Sequence, residues 1–230
     1  MRRTSAIVAV LLGAIALTAC SDSGTPSNNA APSTTSTTAP VTTAGSSSTT
    51  STLPPLVVTI KGVGGRIVPM PASVPLPAIV HAQHAGSGGG FAVTGIDSHG
   101  RRTTVLASSL GTYNGTFAVG FVDPADNPTT RLRVITSGAW QLDIASAALA
   151  PPLGSGRQGI GDAVLSYRGR GATAHLTYEG HARLIVNVYG HGGVISLVDT
   201  KGPYDGSISL VSGPAFIAVT ATGKWSMMIE

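Results

Sequence analysis

Six histidines are the most suggestive polar side chains in this sequence, because an imidazole can bind a metal or carry a proton. Imidazole nitrogens are common ligands of zinc and copper. Two of the six lie only three residues apart, and on a β-strand that spacing places the rings on opposite faces, which is a poor start for one metal site. Two interpretations stay open: metal ligands, or ordinary turn and surface histidines. The candidates are His81, His84 and His99 in the first half of the chain and His175, His181 and His191 in the second.

A second candidate site is the acidic segment Asp123-Pro124-Ala125-Asp126-Asn127-Pro128. Asp123, Asp126 and Asn127 offer oxygen ligands of the kind that calcium prefers, although a full site needs six to eight oxygens. Asp-Pro and Asn-Pro are also ordinary turn starters. The segment therefore fits either part of a calcium site or a plain loop, and the sequence implies no cofactor.

Familiar catalytic motifs are missing from the sequence. It contains no Gly-x-Ser-x-Gly, no His-Glu-x-x-His and no glycine-rich loop that ends in Gly-Lys-Ser/Thr. Its two glutamates, Glu179 and Glu230, leave little for a carboxylic acid pair of the glycosidase type. We therefore predict a protein that is not an enzyme. A hydrolase or metal-binding protein that uses the histidine and aspartate set is the alternative.

The positive charge of the chain is weak and scattered. Fourteen Lys and Arg stand against ten Asp and Glu, and two of the fourteen, Arg2 and Arg3, precede an apolar run at the N-terminus. The rest of the chain has 12 positive against 10 negative side chains, a net charge of +2, which is too little for nucleic-acid binding. Four arginines form either a small patch for wall polymers or anionic lipid, or the charged faces of edge strands: Arg101, Arg102, Arg131 and Arg133.

The N-terminus has the pattern of an exported protein. Arg2 and Arg3 precede an apolar run over residues 6–19, as in a signal peptide. As a helix this run would rise about 21 Å, short of the ~30 Å hydrocarbon core of a bilayer, so a spanning helix is the weaker interpretation. The run ends in Leu17-Thr18-Ala19-Cys20, and Cys20 is the only cysteine of the chain. These four residues resemble the lipobox of bacterial lipoproteins.

The resemblance implies cleavage after Ala19 and attachment of a diacylglycerol to Cys20, often with a further acyl chain such as palmitate. Several acyl chains hold a protein stably at a bilayer. The expected location is therefore the extracytoplasmic side of a bacterial cell membrane, with the lipid bilayer as partner through the acylated Cys20. The mature chain has no second cysteine with which to form an internal disulfide.

Residues 21–55 predict a disordered tether. The segment contains 10 Thr, 9 Ser and one charged residue, Asp22. It lacks the apolar side chains that would offset the entropy of ordering. Glycosylation of its hydroxyls is a hypothesis, and an intact mass that matches the unmodified lipopeptide would exclude it.

The folded part contains two similar copies. Two pairs of blocks and the two tryptophans recur in the same order: residues 62–68 and 159–165, residues 111–116 and 202–207, Trp140 and Trp225. Self-similarity of this kind is the mark of a duplicated unit. The predicted organisation is a signal peptide (1–19), a lipidated tether (20–55), copy 1 (56–145), a linker (146–158) and copy 2 (159–230).

Alternation with a period of two predicts β-strands in both copies. Leu132 and Val134, for example, point one way while Arg131 and Arg133 point the other. Asn114-Gly115, with its counterpart in copy 2, is the pair that two-residue hairpins prefer, which predicts a turn there. We therefore predict an all-β fold of tandem duplicated small β-sandwich units, jelly-roll-like and with six to eight strands each, after a disordered linker.

Each copy ends in a Gly-x-Trp strand, Gly138-Ala139-Trp140 and Gly223-Lys224-Trp225. In these residues the folded part resembles duplicated β-sandwich modules of uncharacterised bacterial surface lipoproteins, a resemblance that implies a fold and no activity. The leading prediction is a lipid-anchored, non-enzymatic cell-surface module for binding or envelope assembly, with a cell-wall polymer or an envelope protein as partner. The third class is a structural protein that self-associates through exposed β edges.

Overall fold

The computed structural model describes residues 56–86, 89–123 and 127–230. These residues form β-strands, together with one short 3₁₀ helix (Ala147–Leu149). No helix in this part of the chain is long and apolar enough to cross a membrane. The predicted signal peptide, the lipidation site Cys20, the tether and Asp126 lie outside the described residues.

The strands form two successive groups of eight. Sandwich 1 consists of β1 (Val57–Val63), β2 (Arg66–Pro69), β3 (Ala78–His84), β4 (Phe91–Asp97), β5 (Arg102–Ser109), β6 (Tyr113–Val119), β7 (Thr129–Ile135) and β8 (Ala139–Ser146). Sandwich 2 consists of β9 (Gly156–Ile160), β10 (Ala163–Tyr167), β11 (Ala172–Tyr178), β12 (Arg183–Gly190), β13 (Gly193–Lys201), β14 (Tyr204–Leu210), β15 (Ala215–Thr220) and β16 (Lys224–Ile229).

Each sandwich is made of two antiparallel four-stranded sheets, and the strand order is the same in both. Sandwich 1 has the orders β1-β8-β3-β6 and β2-β7-β4-β5, and sandwich 2 has β9-β16-β11-β14 and β10-β15-β12-β13. Adding eight to every strand number of sandwich 1 gives the two strand orders of sandwich 2. Eight strands in two sheets are the composition of a jelly roll. The prediction of an all-β fold with two duplicated sandwiches is confirmed.

The alternating apolar residues fill one core in each sandwich. Leu132 and Val134 of β7 are buried, as are Ile217 and Val219 of β15. In both cases the neighbouring residues of the strand are more exposed. The cores hold side chains from both sheets of each sandwich, so burial of these rows joins the two sheets.

A tryptophan and two glycines form the same contact in both sandwiches. The indole N–H of Trp140 donates to the carbonyl of Gly64 at 2.9 Å, and that of Trp225 donates to the carbonyl of Gly161 at 2.9 Å. A glycine lies against each indole ring, Gly62 against Trp140 and Gly159 against Trp225. A Cβ on Gly62 would come within 2.3 Å of a ring carbon. The recurring blocks of the sequence therefore build recurring contacts.

The predicted hairpin turns at the Asn-Gly and Asp-Gly pairs are wrong. Asn114-Gly115 lies inside β6 and Asp205-Gly206 lies inside β14, and neither glycine has a positive φ. The missing side chain instead makes room for a ring, because a Cβ at Gly115 would lie 3.0 Å from the hydroxyl oxygen of Tyr113. The same contact recurs in sandwich 2. The Tyr-x-Gly spacing therefore serves packing within a strand.

The four arginines do not all lie on edge strands. β7 is a central strand of its sheet, so the interpretation of Arg131 and Arg133 as edge charges is wrong. Arg102 begins β5, which is an edge strand. Charges on a central strand cannot prevent edge pairing, and the two β7 arginines need another explanation.

An apolar contact joins the two sandwiches, which belong to one compact unit. Ile79 and Ala145 lie on the β1-β8-β3-β6 sheet, and they cluster with Val164 of the β10-β15-β12-β13 sheet. Ala147 and Ala150, from the connection between the sandwiches, complete the cluster. Part of the outer face of this sheet of sandwich 2, around Val164, is therefore covered by sandwich 1.

Candidate functional site

The turn between β9 and β10 links the sandwiches through one carboxylate. Gly161 has a φ of +78°, which glycine adopts readily, and Asp162 follows it. The two carboxylate oxygens of Asp162 accept hydrogen bonds from the hydroxyl of Tyr113 at 2.7 Å and the main-chain N–H of Ala221 at 2.8 Å. Its carbonyl oxygen accepts a bond from the N–H of Thr116 at 2.9 Å. One residue of sandwich 2 thus holds a side chain and a main-chain group of sandwich 1.

The surroundings of this turn shift both of its titratable groups. Burial raises the pKa of Asp162, although the hydrogen bonds from Tyr113 and Ala221 oppose the shift. Burial, the charge of the Asp162 carboxylate and the hydrogen bond to it all raise the pKa of Tyr113. The phenol therefore stays protonated at physiological pH and remains the donor of the bond.

A cleft of about 800 Å³ lies beside the turn, between β5 and β6 of sandwich 1 and β12 and β15 of sandwich 2. We call it the main cleft. Its volume falls within the range of small-molecule sites, roughly 300–1,000 Å³. Asn114 and Tyr113 line it from sandwich 1, and Asn187 and Tyr189 line it from sandwich 2. Both copies therefore supply polar and aromatic groups to one concave surface.

Aromatic rings from both sandwiches meet at one end of the main cleft. The ring of Phe121, in the connection between β6 and β7, lies 4.9 Å from that of Tyr189 and 5.1 Å from that of Phe216. Burial raises the pKa of Tyr189, so its hydroxyl keeps its proton. A tyrosine in this setting offers a ligand an apolar face and a hydrogen-bonding group together.

The charged side chains that line the main cleft already have partners. The Nε and Nη2 atoms of the Arg183 guanidinium donate to the carboxylate of Asp199, at 2.6 and 2.5 Å. Asp123 accepts a bond from the N–H of Thr129 at 2.7 Å, and Asp162 is held as above. Among the described lining residues, the groups that remain for a ligand are therefore uncharged, although the Asn187 side chain already bonds to the Tyr189 hydroxyl.

A second cleft of about 410 Å³ also takes residues from both sandwiches. It brings His81 and Asp143 of sandwich 1 beside Arg157 of sandwich 2. Nδ1 of His81 lies 3.2 Å from the hydroxyl oxygen of Thr116. The carboxylate of Asp143 accepts the hydroxyl of Thr59 at 2.6 Å. A histidine and a hydroxyl are thus paired here, while the aspartate is held by a different strand.

His84 lies on the opposite face of β3 from His81, as the three-residue spacing predicts. It is only 4% exposed and its ring stacks on that of Phe91 at a centroid distance of 5.2 Å. Its Nε2 lies 2.9 Å from the hydroxyl oxygen of Thr136. Its surroundings are those of a core histidine with satisfied hydrogen bonds.

The remaining predicted ligands are dispersed. His175 occupies in sandwich 2 the register position of His81, and its Nε2 lies 2.7 Å from a carboxylate oxygen of Asp205. His99 and His191 lie in the turns that follow β4 and β12. Among the described residues, no three His, Cys, Asp or Glu side chains gather closely enough to hold a metal ion.

The sequence reasoning missed Asp162 and Tyr113 as interface residues. A signal was present in the aligned blocks, because Asp162 falls at the position of Gly65 while the glycines before both positions match. A carboxylate that appears in one copy at a glycine position of the other marks a function that the copies do not share.

No family model and no curated protein matches the sequence. Three solved structures share distant similarity. A regulatory subunit of a cAMP-independent protein kinase A from Trypanosoma cruzi, bound to guanosine, is 9% identical over 75% of this chain and 72% of that chain, with a TM-score of 0.23. A conserved protein of unknown function from Pseudomonas aeruginosa PAO1 is 12% identical over 76% and 80%, with a TM-score of 0.22. A chain of Sulfolobus Turreted Icosahedral Virus is 8% identical over 75% and 90%, with a TM-score of 0.25. Likenesses this distant carry no argument about function.

Proposed function

We propose that this chain is a lipid-anchored, extracytoplasmic binding protein without catalytic activity, and that its ligand occupies the main cleft. One observation carries the proposal: Asn114 of sandwich 1 and Asn187 of sandwich 2 line the same cleft. A ligand there contacts both copies at once. Duplication and docking of the sandwiches thus create a site that neither copy has alone.

The lining groups favour a neutral ligand rich in hydroxyls, such as a short glycan of the cell envelope. Side-chain amides donate and accept hydrogen bonds, as sugar hydroxyls do. The half-buried ring of Tyr189 offers an apolar face beside Asn187, which suits the C–H surface of a sugar. A charged ligand is less suitable, because the charges of Asp162 and Arg183 are already engaged.

Binding of two neutral trisaccharides, maltotriose and triacetylchitotriose, tests the site by titration calorimetry and NMR. Asn187→Ala and Asn114→Ala should each weaken binding roughly 5- to 150-fold, since each removes about 1–3 kcal/mol of hydrogen bonding. Thr173→Ala is the matched control, because Thr173 is exposed on β11, away from the cleft. Equal affinity in all variants places the ligand elsewhere, and absence of saturable binding at millimolar sugar removes neutral glycans as the ligand class.

The proposed location rests on the lipobox residues Leu17-Thr18-Ala19-Cys20. Cells that express the chain and are fed an alkyne-labelled palmitate should yield a labelled protein in the membrane fraction. Cys20→Ser should lose the label, because the chain then has no thiol for the thioether bond. A label that persists in Cys20→Ser, or a wild-type protein without label, contradicts lipidation at this residue.

A hydrolase in the second cleft is the second candidate function. It is favoured by the 3.2 Å approach of the His81 ring to the hydroxyl of Thr116, since a base beside a hydroxyl is the start of nucleophilic catalysis. Hydrolysis of p-nitrophenyl acetate by wild type, His81→Ala and the control His175→Ala tests it. A loss of rate in His81→Ala alone supports a hydrolase, and equal rates in all three remove this candidate.

A further inference from the structure

The sheet β2-β7-β4-β5 of sandwich 1 has an outer face that carries arginines. Arg131 and Arg133 point outward from β7, because Leu132 and Val134 beside them are buried in the core. Arg102 of β5 lies in the same row as Arg131, since both are register partners of one residue of β4. Three cations therefore share one face, on a central and an edge strand.

Exposed apolar side chains stand among these arginines. Ile67 is the register partner of Arg133 and is 52% exposed. Ile135 is 43% exposed on the same sheet. We call this surface the basic face; its members are Ile67, Arg102, Arg131, Arg133 and Ile135.

The charge of the basic face is not neutralised by neighbouring acids. Arg102 and Arg133 have no ion-pair partner among the described residues, and Arg131 donates to a main-chain carbonyl, that of Asp97, at 3.3 Å. The carboxylate of Asp97 is buried and accepts bonds from the side chain and N–H of Arg101 in the adjoining turn. A net positive charge thus remains on the surface.

The duplicate copy shows that the fold does not require these arginines. Ile217 of β15 occupies in sandwich 2 the register position of Leu132 of β7. Its neighbours Phe216 and Ala218 therefore stand at the positions of Arg131 and Arg133. There Phe216 and Ala218 pack against the apolar cluster that joins the two sandwiches. The two copies have therefore specialised one face differently, for internal docking in sandwich 2 and for an external surface in sandwich 1.

We propose that the basic face docks on an anionic phospholipid bilayer. Arginines attract lipid phosphates at the surface of an anionic leaflet, and exposed apolar side chains enter the head-group region. The interspersed Ile67 and Ile135 favour a bilayer over a hydrated wall polymer, which offers no apolar phase for them. This docking goes beyond ligand binding in the main cleft, and it takes its setting from the lipid anchor proposed above.

Co-sedimentation with vesicles tests the docking, using the full chain with Cys20→Ser so that no acyl chain contributes. One set of vesicles contains phosphatidylcholine with about 30 mol% phosphatidylglycerol, and the other contains phosphatidylcholine alone. The readout is the ratio of binding to the two sets. The test variant combines Arg102→Gln, Arg131→Gln and Arg133→Gln. The control removes the same charge from exposed positions of sandwich 2, with Arg168→Gln, Arg170→Gln and Lys201→Gln.

We expect the anionic preference to fall roughly 100-fold in the basic-face variant and to survive in the control. Ile67→Ser should weaken binding to the anionic vesicles about 3- to 10-fold, because an apolar side chain no longer enters the head groups. Thermal melting verifies that each variant is folded. The main-cleft variants Asn114→Ala and Asn187→Ala should bind vesicles as wild type does, so failure here is distinct from failure of the cleft proposal.

Three results would overturn the docking proposal. The first is an equal loss of anionic preference in the basic-face variant and in the control. The second is wild-type vesicle binding by Ile67→Ser, because a contact without apolar insertion would no longer distinguish a bilayer from an anionic polymer. The third is binding of the Cys20→Ser chain to soluble polyphosphate without binding to the anionic vesicles, which would assign the basic face to a polymer.

Discussion

The hydrogen bond between Tyr113 and Asp162 should contribute measurably to the stability of the paired sandwiches. The bond is 2.7 Å long, half-buried and made to a carboxylate, a class that contributes about 1.5–3 kcal/mol. Tyr113→Phe should therefore lower the free energy of unfolding by about 2 kcal/mol. Asp162→Ala should cost more, roughly 3–5 kcal/mol, because it also leaves the N–H of Ala221 without its acceptor.

A double-mutant cycle isolates the bond itself. If the two side chains interact as the structure shows, the double variant is less destabilised than the sum of the single variants by about 1–2 kcal/mol. Urea unfolding followed by tryptophan fluorescence measures each free energy, with Trp140 in sandwich 1 and Trp225 in sandwich 2 as reporters. The probes therefore also show whether the sandwiches unfold together.

Tyr204→Phe is the matched control for this cycle. Tyr204 holds the position of Tyr113 in sandwich 2, and its hydroxyl has no hydrogen-bond partner among the described residues. Its removal should change the free energy of unfolding by less than about 0.5 kcal/mol. Equal costs for the two tyrosines, or additive effects of the Tyr113 and Asp162 changes, would refute the assignment of this bond as a link between the sandwiches.

Three further predictions concern titration and packing. Burial raises the pKa of Asp162 in the folded protein. The contribution of Asp162 to the free energy of unfolding therefore grows as the pH falls from that raised pKa toward the ordinary carboxyl pKa. The stability of wild type relative to Asp162→Asn should rise on acidification. Asp199 behaves oppositely, because the hydrogen bond from Arg183 lowers its pKa. Its contribution to stability is present above the ordinary carboxyl pKa and is lost as the pH falls through the lowered pKa. If urea unfolding gives the same stability difference between wild type and Asp199→Asn across these pH values, the prediction is wrong. Gly62→Ala should cost about 1–3 kcal/mol, because its Cβ would lie 2.3 Å from an indole carbon. Gly192→Ala, which meets nothing within 4 Å, should be near neutral in thermal melts, and equal melting temperatures for the two variants would contradict the packing argument.

The parts of the fold that the sequence predicted are those set by neighbouring residues. Alternation around Leu132 and Val134 predicted a strand with one buried face, and burial in the structure follows it. The tryptophan blocks predicted a duplication, and the two strand orders agree with it. Period-two patterns and repeated blocks are local in sequence, so no knowledge of sheet order was needed to interpret them.

The parts of the fold that the sequence did not predict depend on partners far along the chain. Tyr113 and Asp162 are 49 residues apart, and no local pattern brings them together. Asn114-Gly115 has the composition of a turn, yet in the structure it continues a strand, because the glycine accommodates a neighbouring ring and the approach of Asp162. Tertiary packing decided both cases against local propensity.

Differences between the two copies identify the functional surfaces better than their shared residues do. Gly64 and Gly161 serve the same indole contact in both copies, so their agreement reports the needs of the fold. Asp162 stands where sandwich 1 has Gly65, and it forms the link between the sandwiches. Arg131 stands where sandwich 2 has Phe216, which packs against the apolar cluster between the sandwiches. A charge present in only one copy of a duplicated fold is not required by the fold, and the cleft beside Asp162 and the basic face are therefore the surfaces to test first.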